Sequence, residues 1–171
     1  MEKVYKIKKS LRLPMILAVI LSIPVFIDLM GRGMETGHII LIVILMLFFY
    51  TMAINNFLRR IKITADSITI GSFVGSKTIA RADITALDGL SVGSRQFISL
   101  IVGKRSYLIQ NSYNNFTGIM DALSAMVPPE HIKEGFTNIR RDPVSRSGDT
   151  IAAWLTVAIL VTIITFKYLP H

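Results

Sequence analysis

The sequence predicts an α+β membrane protein: a transmembrane helical hairpin, then a small antiparallel sheet or partial barrel capped by one C-terminal helix, then a third transmembrane helix. Three apolar blocks predict the membrane helices. Between the second and third blocks, apolar and polar residues alternate with a period of two, which predicts strands, and the period lengthens to that of a helix from Asn115. A chain of 171 residues has room for about one folded domain.

The membrane blocks explain how the chain can be both 51% apolar and strongly basic, with a net charge of +8. Most charges lie outside the apolar blocks, which cover residues 13–30, 39–58 and 151–166. A helix of roughly 20 residues, rising about 1.5 Å per residue, crosses a hydrocarbon core of about 30 Å. The third block is shorter, so its helix is expected to continue through Lys167 and Tyr168 to Leu169. Lys167 is expected to snorkel, and Tyr168 to lie at the interface.

Basic residues beside the blocks predict the orientation. Residues 1–12 form a basic N-terminus, and no small-x-small cleavage pattern follows the first block, so that block is expected to remain as an anchor. Cations concentrate before the first block, after the second and before the third, whereas the 31–38 connection holds only Arg32 and the third block is followed by Lys167 alone. The positive-inside rule therefore predicts an integral plasma (inner) membrane protein with a cytoplasmic N-terminus and 59–141 region, and the C-terminus outside. The cations before the third block are Arg140, Arg141 and Arg146.

Residues 59–127 are predicted to form the cytoplasmic domain. Six strands are expected, at 61–64, 68–71, 78–80, 84–90, 97–102 and 106–110, with a two-residue turn at Gly103-Lys104. The glycine-rich stretch 71–78 resembles a phosphate-binding loop only superficially, because its second glycine comes one residue early and β-branched residues follow it instead of a helix. We therefore expect a turn between two strands there.

A helix is expected to close the domain. Its apolar positions fall on one helical face, Asn115 caps its start, and Pro128-Pro129 ends it. Residues 128–150 are polar and contain proline, serine and glycine, so they are expected to be a linker to the third membrane helix. The apolar positions on the predicted face are Phe116, Ile119, Met120, Leu123 and Met126.

This order of elements resembles the bacterial pleckstrin-homology-like (PH) domain. The resemblance rests on residues 61–70, on 78–87 as a strand followed by an Asp-Ile corner, on the 100–109 hairpin, and on 115–127 as the closing helix. It implies a strongly bent sheet or partly open barrel with the helix at one end, and binding instead of catalysis. A membrane hairpin before such a domain is also familiar in membrane-bound members of the family.

Two sets of residues are candidates for contact with partners. The resemblance implies that basic residues of the first strand hairpin contact lipid headgroups. The cations that directly follow the second membrane helix are further candidates for the same contact. The competing interpretation, which topology favours, is that these are flanking charges on a solvated face. The candidates for headgroup contact are Arg59, Arg60, Lys62, Lys77 and Arg81, and those for a partner-binding hairpin are Phe97, Lys104, Arg105 and Tyr107.

Catalytic and metal-binding patterns have little support in the sequence. Cysteine is absent, and His38, His131 and His171 are far apart in the chain. Asp28, within the first block, is expected to pair with Arg32 near the outer interface instead of marking an ion pathway.

The sequence thus predicts a non-enzymatic, membrane-anchored adaptor or scaffold without cofactors. Its predicted contacts are the lipid bilayer and a protein partner or a second copy, and not nucleic acid, because nucleic-acid binders are seldom so hydrophobic. The alternative is a small accessory subunit of a transporter or membrane enzyme, in which the helices make the functional contacts.

Overall fold

The computed structural model describes residues 2–31, 33, 35–144 and 148–168. The chain divides into two compact units. Met1–Lys8 and Leu58–Ser147 form the β unit, and Lys9–Phe57 and Gly148–His171 form the helical unit. The chain therefore leaves the β unit after its first eight residues and returns to it at Leu58.

The helical unit contains α1 (Lys9–Gly31), α2 (Thr36–Leu58) and α5 (Gly148–Tyr168). All three are long and apolar enough to cross a membrane. All 23 residues of α2 are described, and Ala53 is the one buried among them. Apolar side chains left exposed along a whole helix are stable in hydrocarbon and not in water. The prediction of three helices with the length and composition to span a membrane is confirmed. Arg32, Arg146, Leu169 and His171 lie outside the described residues.

Helix α1 packs against α5 and also contacts α2. Small buried residues on α1, Ala18 and Ser22, allow the neighbouring helices to approach closely. The Ser22 hydroxyl lies 3.1 Å from the Tyr50 hydroxyl of α2 and donates to the Val19 carbonyl at 2.8 Å. These contacts satisfy polar groups that would otherwise face the apolar interior of the membrane.

The β unit contains seven strands in its described residues, which form two antiparallel sheets. The four-stranded sheet has the order β1-β2-β3-β4, and the three-stranded sheet has the order β5-β6-β7. All six strands predicted from the sequence are present. The strands are β1 (Lys3–Lys6), β2 (Arg60–Ile63), β3 (Ser67–Ser72), β4 (Gly75–Ala80), β5 (Ala86–Val92), β6 (Arg95–Val102) and β7 (Arg105–Gln110).

Strand β1 was not predicted from the sequence. Residues 1–12 are not simply a basic N-terminal segment, because β1 pairs with β2 in a register that sets Tyr5 opposite Ile61, and α1 begins at Lys9. Tyr5 and Ile7 are 7% and 2% exposed. Their alternation with lysines is the local signal for the strand, but its partner lies beyond the whole membrane hairpin in sequence.

The edge of β1 away from β2 contacts the segment after β7. Ile7 and Tyr113 form an isolated antiparallel bridge. The Lys8 amide donates to the Ser112 carbonyl at 3.0 Å, and the Asn114 amide donates to the Lys6 carbonyl at 2.7 Å. These bonds join the two sheets along one side and cover backbone groups that an open edge would expose.

The predicted closing helix is α3 (Phe116–Met126). The Asn115 side chain accepts a hydrogen bond from the Gly118 amide at 3.1 Å, so the predicted N-cap is confirmed. All five apolar positions expected on its inner face are buried. Strand β1 contacts the same helix, because the Tyr5 hydroxyl donates to the Gly118 carbonyl at 3.0 Å.

Residues 128–150, expected to be a linker, include folded structure. A 3-10 turn at Pro129–His131 precedes α4 (Glu134–Arg141), which buries Phe136 and Ile139 and packs against β5. The Lys133 amide donates to the Leu87 carbonyl at 2.9 Å. A polar helix of eight residues with two inward apolar side chains gives a weak sequence signal, since tertiary packing supplies its stability.

The turns follow the predicted glycine chemistry. The glycine-rich stretch is the β3–β4 hairpin, in which Ser72 pairs with Gly75 across Phe73-Val74. Gly103 has a φ of 56° at the start of the β6–β7 turn, a conformation that glycine adopts without steric cost. Both turn predictions are confirmed.

Candidate functional site

The four-stranded sheet gathers some of the predicted headgroup cations on its outer face. Ile61 and Ile63 face the core, so the alternating Arg60 and Lys62 face outward. Lys6 of β1 is the cross-strand partner of Arg60 and joins them, although the sequence analysis did not include it. Lys62 forms an ion pair of 3.0 Å with Glu2.

The other predicted cations do not join this group. Lys77 pairs with Ile70 and shares the face of the buried Ile79, so it lies on the opposite side of the sheet from Arg60. Arg81 follows β4 and lines a cleft of about 480 Å³ with Asp66 and His131. The five cations therefore do not form one continuous surface.

Arg59 acts on a buried tyrosine. Burial raises the pKa of the Tyr113 hydroxyl, and the nearby positive charge of Arg59 partly offsets that rise. Tyr113 is 3% exposed and forms the bridge with Ile7. Arg59 thus lies near the junction of the two sheets.

The structure divides the predicted partner-binding hairpin between two faces. Tyr107 pairs with the fully buried Leu100 and is half-buried on the inner side. Phe97 lies on the outer side, where it pairs with Leu90 and Gln110. Phe97 and Tyr107 therefore do not share one contact surface.

The outer face of the three-stranded sheet carries apolar side chains among polar ones such as Ser99 and Gln110. Leu90, 56% exposed, lies opposite the half-buried Phe97, and Leu108, 58% exposed, lies diagonal to Phe97 on the next strand. We call these three residues the outer apolar face. Lys104 and Arg105 are exposed at the β6–β7 turn of the same sheet. Leu90 and Leu108 were not among the predicted contact residues, although strand alternation places them on the side opposite the buried residues once the register is known.

Polar side chains fix the segment that follows α4. The Gln96 side chain, 3% exposed, donates to the Asp142 carbonyl at 2.7 Å and accepts from the Val144 amide at 2.9 Å. Asn111 donates to the carbonyls of Ser94 and Val144, both at 3.0 Å. Buried amides that bind backbone in this way hold a chain segment in one position.

Asp28 has a partner that the sequence did not predict, and its expected pairing with Arg32 lies outside the described residues. It forms an ion pair with Lys167 of α5. The pair lines a cleft of about 440 Å³ whose other walls are mostly apolar, including Val25 and Phe166. The pairing could not be predicted from local patterns, because Asp28 and Lys167 lie in separate apolar blocks.

Among the described residues, no three His, Cys, Asp or Glu side chains are grouped closely enough to hold a metal ion. His38 lies 3.9 Å from Glu35 in an exposed pair, His131 lines the Arg81 cleft, and His171 is outside the described residues.

Comparisons of the chain with protein-family models, curated proteins and solved structures found no match.

Proposed function

We propose that this protein is a non-enzymatic membrane adaptor whose β unit presents the outer apolar face to a protein partner. The exposure of Leu90 and Leu108 beside Phe97 is the observation that carries the proposal. Exposed apolar side chains that adjoin one another are typical of contact sites, whereas isolated ones are common on any surface.

A pleckstrin-homology-like fold for the β unit is part of this proposal. Sheets of four and three antiparallel strands followed by α3 support it. Strand β1, which precedes the membrane hairpin, supplies the seventh strand that such a fold requires. In this interpretation the hairpin is an insertion between the first two strands of the domain.

Chain connectivity explains why such an adaptor would remain at the membrane. Ile7 and Lys8 separate β1 from α1, and Arg59 separates α2 from β2. Covalent attachment at these points raises the effective concentration of the β unit for other membrane proteins without a tight site of its own.

The proposed location is the plasma (inner) membrane, with the β unit in the cytoplasm and the C-terminus outside. The bias of arginine and lysine among the flanks supports this orientation. A reporter that is active only outside the cytoplasm should be active when fused after residue 171. Activity at an insertion near Asn111 with silence at the C-terminus would reverse the orientation.

A photo-reactive amino acid at Leu90 or Leu108 in the full-length protein tests the adaptor function in cells. We expect both positions to give the same crosslinked product, and the matched control at Val74, an exposed apolar residue in the β3–β4 turn, to give none. Two differently tagged copies distinguish a second copy of the chain from another protein. Equal crosslinking from all three positions would contradict the proposal.

The second candidate function is an accessory subunit of a transporter or membrane enzyme, favoured by the Asp28–Lys167 pair. Charged residues at such positions often carry function in membrane proteins. The same crosslinking approach distinguishes the two candidates, because products from exposed positions such as Ile44 of α2, without products from Leu90 and Leu108, would favour the subunit.

A further inference from the structure

A second cleft lies within the helical unit, between the start of α1 and the end of α2. Its volume is about 660 Å³. Leu13, Ile16 and Phe57 form apolar walls, and Lys9, Ser10 and Arg12 supply the polar groups. We call this space the basic cleft. It combines an apolar groove with cations at one end, and neither feature belongs to the outer apolar face.

Arg12 is held in a defined position in the basic cleft. Its Nη2 donates to the Phe57 carbonyl at 3.1 Å, and its guanidinium carbon lies 5.5 Å from the centre of the Phe57 ring. A guanidinium has five N–H groups, so this bond leaves further donors for an anion. A side chain already oriented by a carbonyl and a ring loses less conformational entropy when it binds a ligand.

Lys9 differs from Arg12 because its side chain makes no ion pair in the part of the chain that the structure describes. It is exposed, on the first residue of α1. Capping the end of α2 explains Arg12 without any ligand. It does not explain a second cation and a hydroxyl at the mouth of the same apolar groove.

We propose that the basic cleft binds one anionic phospholipid, with its phosphate at Lys9, Ser10 and Arg12 and an acyl chain along Leu13, Ile16 and Phe57. The chemistry matches at both ends, since the cations complement a phosphate and the walls complement hydrocarbon. A free phosphate would leave the apolar walls uncovered. This site extends beyond the proposed adaptor function, because it lies in the helical unit and does not depend on a partner at the β unit.

Native mass spectrometry of the full-length protein tests the site. The protein would be released from mild detergent containing equal amounts of phosphatidylglycerol and phosphatidylcholine with identical acyl chains. We expect preferential retention of one phosphatidylglycerol. Lys9→Gln should lower its retention roughly five-fold, as expected for the loss of one cation near a headgroup, and Arg12→Gln should lower it at least as much.

Lys104→Gln is the matched control, since it removes the same charge from the exposed β6–β7 turn. We expect it to leave lipid retention unchanged. Equal retention of the two lipids, or equal effects of Lys9→Gln and Lys104→Gln, would overturn the proposal.

A cysteine at Leu13 separates a lipid from a second copy of the chain, because the sequence contains no other cysteine. Leu13 is 54% exposed. We expect no disulfide-linked dimer in phosphatidylglycerol bilayers if lipid fills the basic cleft. Efficient dimer formation there would show that a second copy fills it and would overturn the lipid assignment.

Discussion

The Asp28 carboxylate of α1 forms an ion pair with the Lys167 ammonium of α5. Their side chains are 23% and 30% exposed, so the pair is partly shielded within the helical unit. An unpaired charge beside hydrocarbon costs free energy, and the pair avoids that cost on both helices. It therefore favours association of α1 with α5 in this register.

We predict that breaking this pair destabilises the helical unit. Asp28→Lys should lower the free energy of unfolding by about 1 to 3 kcal/mol, less than the roughly 3 to 5 kcal/mol for fully buried pairs, because solvent partly screens the charges. The exchange Asp28→Lys with Lys167→Asp should recover most of the loss. Thermal unfolding in mild detergent measures both. Glu35→Gln serves as the exposed control. If the exchange is as unstable as Asp28→Lys alone, the pair does not stabilise the helices.

We predict that the β unit folds without the membrane hairpin only if β1 is retained. Residues 2–8 joined by a short Gly-Ser linker to residues 59–144 should give a soluble, cooperatively folded protein. Omitting residues 2–8 exposes the partners of Tyr5 and Ile7. The lost apolar burial should lower the free energy of unfolding by about 3 to 6 kcal/mol, which is comparable to the total stability of a small domain. Circular dichroism and urea unfolding test this expectation. Equal stability of the two proteins would show that β1 is dispensable.

We predict a loss of β-unit stability at alkaline pH that depends on Tyr5. Burial raises the pKa of the Tyr5 hydroxyl above its ordinary value of 10.0, and the Asp121 carboxylate raises it further. The folded state therefore favours the neutral phenol, and this contribution is complete below about pH 10 and is lost as the pH rises through the higher pKa of the folded state.

The variant Tyr5→Phe isolates this contribution. It loses the hydrogen bond to the Gly118 carbonyl and should be about 1 kcal/mol less stable at neutral pH. The difference from the native sequence should shrink above pH 10, whereas Tyr107→Phe should change little throughout. Urea unfolding across this pH range provides the measurement, and a constant difference would refute the role of Tyr5 ionisation.

We predict that Gly89→Ala separates α4 from β5. A Cβ at Gly89 would collide with the Gly135 carbonyl, and one at Gly135 would collide with the Gly89 carbonyl. Because the collision is with backbone, the helix must move, and we expect a loss of roughly 1 to 3 kcal/mol. Gly71→Ala is the control, since its Cβ would meet the flexible Arg60 side chain at 3.1 Å. The hydrogen-exchange rates of the Phe136 and Ile139 backbone amides should rise in Gly89→Ala and not in Gly71→Ala. Unchanged rates in Gly89→Ala would argue against close packing of α4 on β5.

Local patterns were sufficient for much of the fold. The length of the apolar blocks predicted the three long helices, alternation predicted six strands, and the spacing from Phe116 to Met126 predicted the buried face of α3. These features depend on one segment and its solvent, so each can be inferred from neighbouring residues.

Contacts between distant segments required the tertiary structure. The pairing of β1 with β2 spans the membrane hairpin, α4 depends on the close approach of Gly89 and Gly135, and Asp28 meets Lys167 from another helix. The sequence alone determined most of the helices and strands, although not β1 and α4, and it determined which helices prefer hydrocarbon. Only the tertiary structure decided which side chains share a face, because strand register and helix packing depend on partners that are remote in the chain.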